Sequence, residues 1–233
     1  MTSKQATRNS NSTPQALVFD LDDTLYLERD FVFSGYEAVA RAFADELDAP
    51  FDLLERMKQL FDSPDRGRVY NVIADQLGHP DPDALVPRMI DTYRNHPPNI
   101  QLQPDAAAAL TRLAGRCRLG LISDGPATMQ ANKVRTLGLD SRLDEIILTD
   151  QWGREFWKPH PRAFQEMAQK LDVPPTACLY VADNPAKDFL APNALGWTTV
   201  QIRRPGGIYH DNTPAKDGHP QRAIDTLDAI ILP

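Results

Sequence analysis

Five short apolar runs constrain the fold of this chain more than any other feature: residues 16–20, 118–122, 145–148, 178–182 and 198–202. Most are continuous rather than alternating, the pattern of strands buried on both faces of a parallel sheet. Segments of helical period lie between them. Residues 126–137 end at Gly138, a candidate C′ glycine, and residues 161–171 carry Phe164, Met167, Ala168 and Leu171 on one face. This alternation predicts a doubly wound parallel-sheet α/β domain, with its chemistry gathered at the carboxyl ends of the strands.

One region breaks the alternation. Phe33, Tyr36, Ala40, Phe43 and Leu47 repeat at spacings of three and four, and helical patterns follow around 53–61, 69–77 and 85–93. Gly67, Gly78-His79-Pro80 and Pro82 punctuate them, and His96-Pro97-Pro98-Asn99 reads as a return linker. The predicted division is a disordered leader at 1–14, a core formed by 15–30 and 98–233, and an inserted helical unit at 31–97.

The net charge of −7 argues against non-specific contact with nucleic acid, whose phosphates attract basic surfaces. No apolar stretch reaches the length of a membrane span, and the Ser/Asn/Thr-rich start has no apolar segment to serve as a signal peptide. Cys117 and Cys178 match no metal spacing and open apolar runs, which predicts buried free thiols and a cytoplasmic protein. His79, His96, His160, His210 and His219 show no ligand spacing and read as loop or surface residues.

The first strand ends in Asp20-Leu21-Asp22-Asp23-Thr24. Residues two apart on an extended chain point the same way, so Asp20 and Asp22 can converge on one point. Paired carboxylates there suit a metal, or a nucleophile beside a proton carrier. The second run leads into Ser123-Asp124-Gly125, whose hydroxyl and amides suit phosphate oxygens; the bland alternative is a Ser or Asp N-cap ahead of Pro126. Lys158-Pro159 precedes a helix, and the fourth run leads into Asp183-Asn184-Pro185-Ala186-Lys187-Asp188.

The ordered set Asp20-x-Asp22-x-Thr24, Ser123, Lys158-Pro159 and Asp183-x4-Asp188 resembles the four motifs of the haloacid dehalogenase superfamily, and the insertion after the first motif resembles its C1-type helical cap. The resemblance implies a phosphatase. Asp20 would attack phosphorus and form an aspartyl phosphate, while Asp22 would protonate the leaving alcohol and then activate water. Mg²⁺ would be held by Asp20, the Asp22 backbone carbonyl and Asp183, with Asp188 ligating it or supporting it through water. Ser123, Asp124, Gly125 and Lys158 would surround the phosphoryl group. An aspartate at position 22 favours phosphatase over dehalogenase chemistry, because an alcohol leaving group needs a proton donor. Asp124 departs from the Asn that relatives often carry, and Ala182 from a frequent Gly.

Charge explains why such a site needs cations. At about 4 Å and an effective dielectric near 20, each repelling pair of unit charges costs roughly 4 kcal/mol. Mg²⁺, whose preferred ligands are hard oxygens, and Lys158 would offset that repulsion as a carboxylate meets a phosphate. A closing cap would exclude water and select a small phosphorylated metabolite such as a phosphosugar or nucleoside monophosphate, with Arg66, Arg68, Tyr70 and Arg94 as candidate contacts. Arg203-Arg204-Pro205-Gly206-Gly207 either presents basic groups at the rim or forms a surface turn. The alternatives are a phosphosugar mutase or phosphotransferase of the same superfamily and, more remotely, a receiver-like signalling domain that holds its phosphate.

Overall fold

The computed structural model describes residues 13–232. Of the leader expected at 1–14, all but Thr13 and Pro14 lies outside the described residues. The core is a six-stranded sheet of β1 (Ala16–Phe19), β2 (Arg118–Ser123), β3 (Glu145–Leu148), β4 (Cys178–Ala182), β5 (Thr198–Ile202) and β6 (Arg222–Ile224), in the order β3-β2-β1-β4-β5-β6. Every neighbouring pair is parallel.

Period-two alternation in β1 explains the layering. Leu17 and Phe19 enter one apolar cluster with α5 (Pro104–Leu113) and α6 (Ala127–Thr136), while Ala16 and Val18 enter another with α7 (Arg162–Lys170). A short α8 (Leu190–Leu195) lies between β4 and β5. The continuous apolar runs therefore serve two buried faces, as expected.

Between β1 and β2 come α1 (Glu28–Leu47), α2 (Leu53–Phe61), α3 (Val69–Leu77) and α4 (Pro82–Asn95), followed by α5. The first four share an apolar cluster that includes Tyr36, Phe43, Met57, Ile73 and Met89. Helix α1 begins at Glu28, before the expected position 31. Helix α4 begins at Pro82, which had read as punctuation. Proline is tolerated in a helix's first turn, and Asp81 caps this one by accepting the Ala84 amide at 3.0 Å. Helix α6 also corrects an expectation: its cap is Pro126, with no side-chain bond, and Asp150 from the segment after β3 accepts the Ala127 amide at 3.0 Å. Gly138 follows α6 with φ 64°, as a C′ glycine should.

Strand β6 was not foreseen. It has three residues and follows a long irregular segment, so no periodic signal marks it. Both cysteines are free, but Cys117 is only half-buried, because it precedes β2 rather than lying within it. His96 also departs from its expected loop or surface position. It is buried, with Nδ1 2.6 Å from the Tyr93 carbonyl and Nε2 3.1 Å from Ser34 Oγ.

Candidate active site

Strand order makes the site. β1 lies between β2, which follows it in the chain, and β4, which extends the sheet the other way. The connections thus diverge at the carboxyl end of β1, where such sheets leave a crevice. Phe19 is in register with Leu121 and with Val181, so Asp20, Ser123 and Asp183 all emerge at that end.

Asp20 and Lys158 are both buried, with Lys158 Nζ 2.5 Å from Asp20 Oδ1 and 2.8 Å from Asp188 Oδ1. The ammonium also donates to Tyr180 Oη at 3.0 Å. Asp188 Oδ2 accepts the Asn184 amide at 2.9 Å, which fixes the turn after β4. Burial lifts Asp20 to about 6 despite the attraction of Lys158. Burial, then the charges of Asp188 and Asp20, push Asp183 well above the carboxylate range.

Asp20, Asp183 and Asp188 each offer an oxygen, and these atoms lie within 4.8 Å of one another. Asp183 Oδ2 is buried with no hydrogen-bond partner. Three clustered carboxylates, one of them with an orphaned oxygen, form a donor set that fits a hard divalent cation such as Mg²⁺. The Asp22 side chain is not in this cluster.

Asp22 is instead held from α6. Lys133 Nζ lies 2.7 Å from Asp22 Oδ1, Gln130 Nε2 lies 3.0 Å from Oδ2, and Tyr26 donates its hydroxyl to the same carboxylate. Burial raises the Asp22 pKa, but the Lys133 charge and these hydrogen bonds outweigh it and keep the group below its ordinary value. Gln130 Nε2 also reaches Ser123 Oγ at 2.6 Å and the Asp124 carbonyl at 2.7 Å. Gly125 makes that approach possible: its φ is 131°, and a Cβ there would lie 3.1 Å from Gln130.

The Asp124 carboxylate is occupied within the protein. It accepts Thr149 Oγ1 at 2.8 Å and the Lys158 amide at 3.2 Å, and it pairs with Lys187 Nζ at 3.1 Å. The extra negative charge is thus balanced by Lys187, a residue the sequence offered no reason to select. Asp23, the unassigned member of the first motif, is buried at φ 51°. Its carboxylate accepts the Glu28 amide at 2.8 Å and the Ile208 amide at 2.7 Å.

Those two bonds tie the loop after β1 to the walls of a cavity of about 390 Å³, which both Glu28 and Ile208 line. Arg66, Arg68, Tyr70 and Arg94 line the same cavity. The arginines are exposed, Arg66 stacking on Phe61 with its guanidinium carbon 4.4 Å from the ring centroid. Tyr70 is buried, and its hydroxyl has no partner. Arg204 does not present a basic group at the rim. It is buried, pairs with Asp105 at 3.0 Å and donates Nε to the Thr24 carbonyl at 2.8 Å.

A model of haloacid dehalogenase-like hydrolases matches residues 14–196. The chain belongs to that family. Its relatives include glyceraldehyde 3-phosphate phosphatases from two archaea. The one from Methanopyrus kandleri is 28% identical, over 87% of this chain and 89% of its own. That from Methanocaldococcus jannaschii is 26% identical, over 93% and 95%. A haloacid dehalogenase-type hydrolase of Bacillus subtilis, solved bound to magnesium, shares the fold. Its TM-score is 0.65 at 17% identity, covering 94% of this chain and 97% of that one.

Proposed function

We propose that this member of the family hydrolyses a small phosphorylated metabolite, a phosphosugar by preference, through a phosphoester of Asp20. The chain is a phosphoric monoester hydrolase, in line with full-length relatives named as phosphatases of a three-carbon phosphosugar. The observation that carries the reading is the buried cluster of Asp20, Asp183 and Asp188 beside Lys158, at the crevice end of β1.

Asp20 attacks phosphorus as the bond to the leaving oxygen breaks, and Asp22 supplies the proton that oxygen takes up. Asp22 then takes a proton from the water that cleaves the acyl phosphate, which restores both carboxyl groups. A bound phosphate dianion raises the proton affinity of Asp22, which opposes its resting preference for the charged form. Lys158 balances charge on the transferring group, and Ser123 with the amides near Gly125 holds its oxygens. Mg²⁺ would be held by Asp20, Asp183, Asp188 and the Asp22 carbonyl, and it supplies positive charge against the repulsion between nucleophile and phosphate.

Helices α1–α4 act as the cap, and the cavity of about 390 Å³ receives the leaving group, with Tyr70 and the arginines as contacts. Its volume suits a small sugar rather than a polymer. Among the described residues no helix is long and apolar enough to cross a membrane. We place the enzyme in the cytoplasm, in keeping with its two free thiols.

Hydrolysis of p-nitrophenyl phosphate and a phosphosugar panel by wild type and Asp20→Asn, with Mg²⁺ or EDTA, tests the reading. Phosphate release by wild type with Mg²⁺ alone is expected. Full activity in Asp20→Asn or in EDTA would overturn it, and transfer of phosphate to a sugar would favour the mutase alternative.

A further inference from the structure

Helix α6 contributes no residue to the four motifs, yet two of its side chains are among the most deeply buried polar groups in the protein. Gln130 and Lys133 are 0% and 2% exposed, one turn apart on the same face. Burying an ammonium costs several kcal/mol unless it is paired, so a buried lysine needs an explanation in its partners. Lys133 has one carboxylate partner, Asp22, and its Nζ also stands 4.2 Å from the Phe31 ring centroid. Gln130 spans the two catalytic strand ends, with Nε2 in reach of Asp22 Oδ2, Ser123 Oγ and the Asp124 carbonyl. With Tyr26, these groups give Asp22 a donor on each of its oxygens, which leaves the carboxylate little rotational freedom.

We propose that Gln130 and Lys133 are positioning residues that orient the Asp22 carboxyl toward the leaving oxygen and fix its distance from the phosphate seat at Ser123. The inference rests on the phosphatase reading above and adds to it a second, non-motif set of residues acting through Asp22. Side-chain geometry supports the assignment. Gln130 touches both the proton carrier and the phosphate-binding serine, so a shift of α6 moves the two together. Gly125 keeps the space for Gln130 open, and Asp150 anchors the start of the helix through the Ala127 amide. Removing Gln130 leaves Asp22 Oδ2 without its donor, and removing Lys133 leaves Oδ1 held by Tyr26 alone, so either change loosens the carboxylate, and a displacement near 1 Å is enough to impair a proton transfer.

The leaving group separates this role from mere support of the fold. An alkoxide needs a proton as it departs, whereas p-nitrophenolate is a stable anion and needs little help. The measured quantity is kcat/KM for glycerol 3-phosphate and for p-nitrophenyl phosphate, with wild type, Lys133→Met, Gln130→Met and Lys133→Arg. We expect Lys133→Met and Gln130→Met to lose on the order of 10²-fold on the alkyl ester and less than about 10-fold on the aryl ester. Lys133→Arg, which keeps a cation and donors, should recover part of the alkyl-ester loss. A loss on the alkyl ester no larger than on the aryl ester overturns the proposal.

A crystal structure of Lys133→Met or Gln130→Met, whichever folds, provides a readout independent of turnover. The Asp22 carboxylate should adopt another rotamer or two conformers, and an unmoved Asp22 overturns the proposal. Absence of any phosphatase activity in wild type would instead sink the functional reading, and the crystallographic arm would still decide whether α6 orients Asp22.

Discussion

Replacing Asp183 with Asn should stabilise the metal-free protein while removing its response to magnesium. The ligand oxygens of Asp183, Asp20 and Asp188 lie within 4.8 Å of one another. At an effective dielectric near 20, each like-charge pair at that separation costs about 3.5 kcal/mol. The substitution abolishes two such pairs and forfeits one attraction to Lys158, but burial and these neighbours already favour the protonated form of Asp183, so proton uptake relieves much of the repulsion and the net gain is roughly 1 kcal/mol. An amide would also bring a donor to the carboxylate cluster, where Asp188 Oδ1 is held by Lys158 at 2.8 Å. For a chain of this length that gain should raise the melting temperature by about 2–4 °C. Thermal melts of both proteins at neutral pH, in EDTA and in excess Mg²⁺, make the comparison. Wild type should gain stability on adding Mg²⁺ and the variant should gain little. If wild type in EDTA melts at or above Asp183→Asn, the three carboxylates are not the repelling cluster described, and the reasoning fails.

Metal-free stability should also depend on pH through Asp20, whose folded pKa is raised from 3.8 to about 6. A carboxyl raised on folding contributes fully below its unfolded pKa and loses that contribution as pH rises through the folded value. About 3 kcal/mol should therefore disappear between about pH 4 and 6.5 in urea melts with EDTA, and a flat profile would contradict it. Asp124→Asn keeps an oxygen for Thr149 and the Lys158 amide but releases Lys187, so KM for a phosphate ester should fall several-fold with little loss of kcat; steady-state kinetics tests this. Arg204→Ala leaves Asp105 without its cation and frees the Thr24 carbonyl, at a cost of about 3 kcal/mol, which denaturant melts would measure.

The sequence determined the class of sheet, the strand-end positions of the motif residues and the order of the motifs. Those are local properties: a strand buried on both faces must be apolar throughout, and a carboxylate one residue past its end points out of the sheet wherever the strand lies. The bounds of β3, β4 and β5, and of α2 and α3, followed from runs and periods alone. Strand β6 was hidden because three residues carry no period.

What the tertiary structure decided was pairing. A lysine on a helix or in a turn reads as a solvated charge until its surroundings are known, and Lys133 and Lys187 acquire meaning only because folding brings Asp22 and Asp124 against them across 111 and 63 residues. Arg204 read as either a rim residue or part of a surface turn and is instead a buried tie, because Asp105 and the Thr24 carbonyl come to meet it from 99 and 180 residues away. Asp150 replaces the expected cap of α6 for the same reason. A charge can be buried only where a partner from elsewhere in the chain offsets its desolvation, and residue spacing carries no record of that partner.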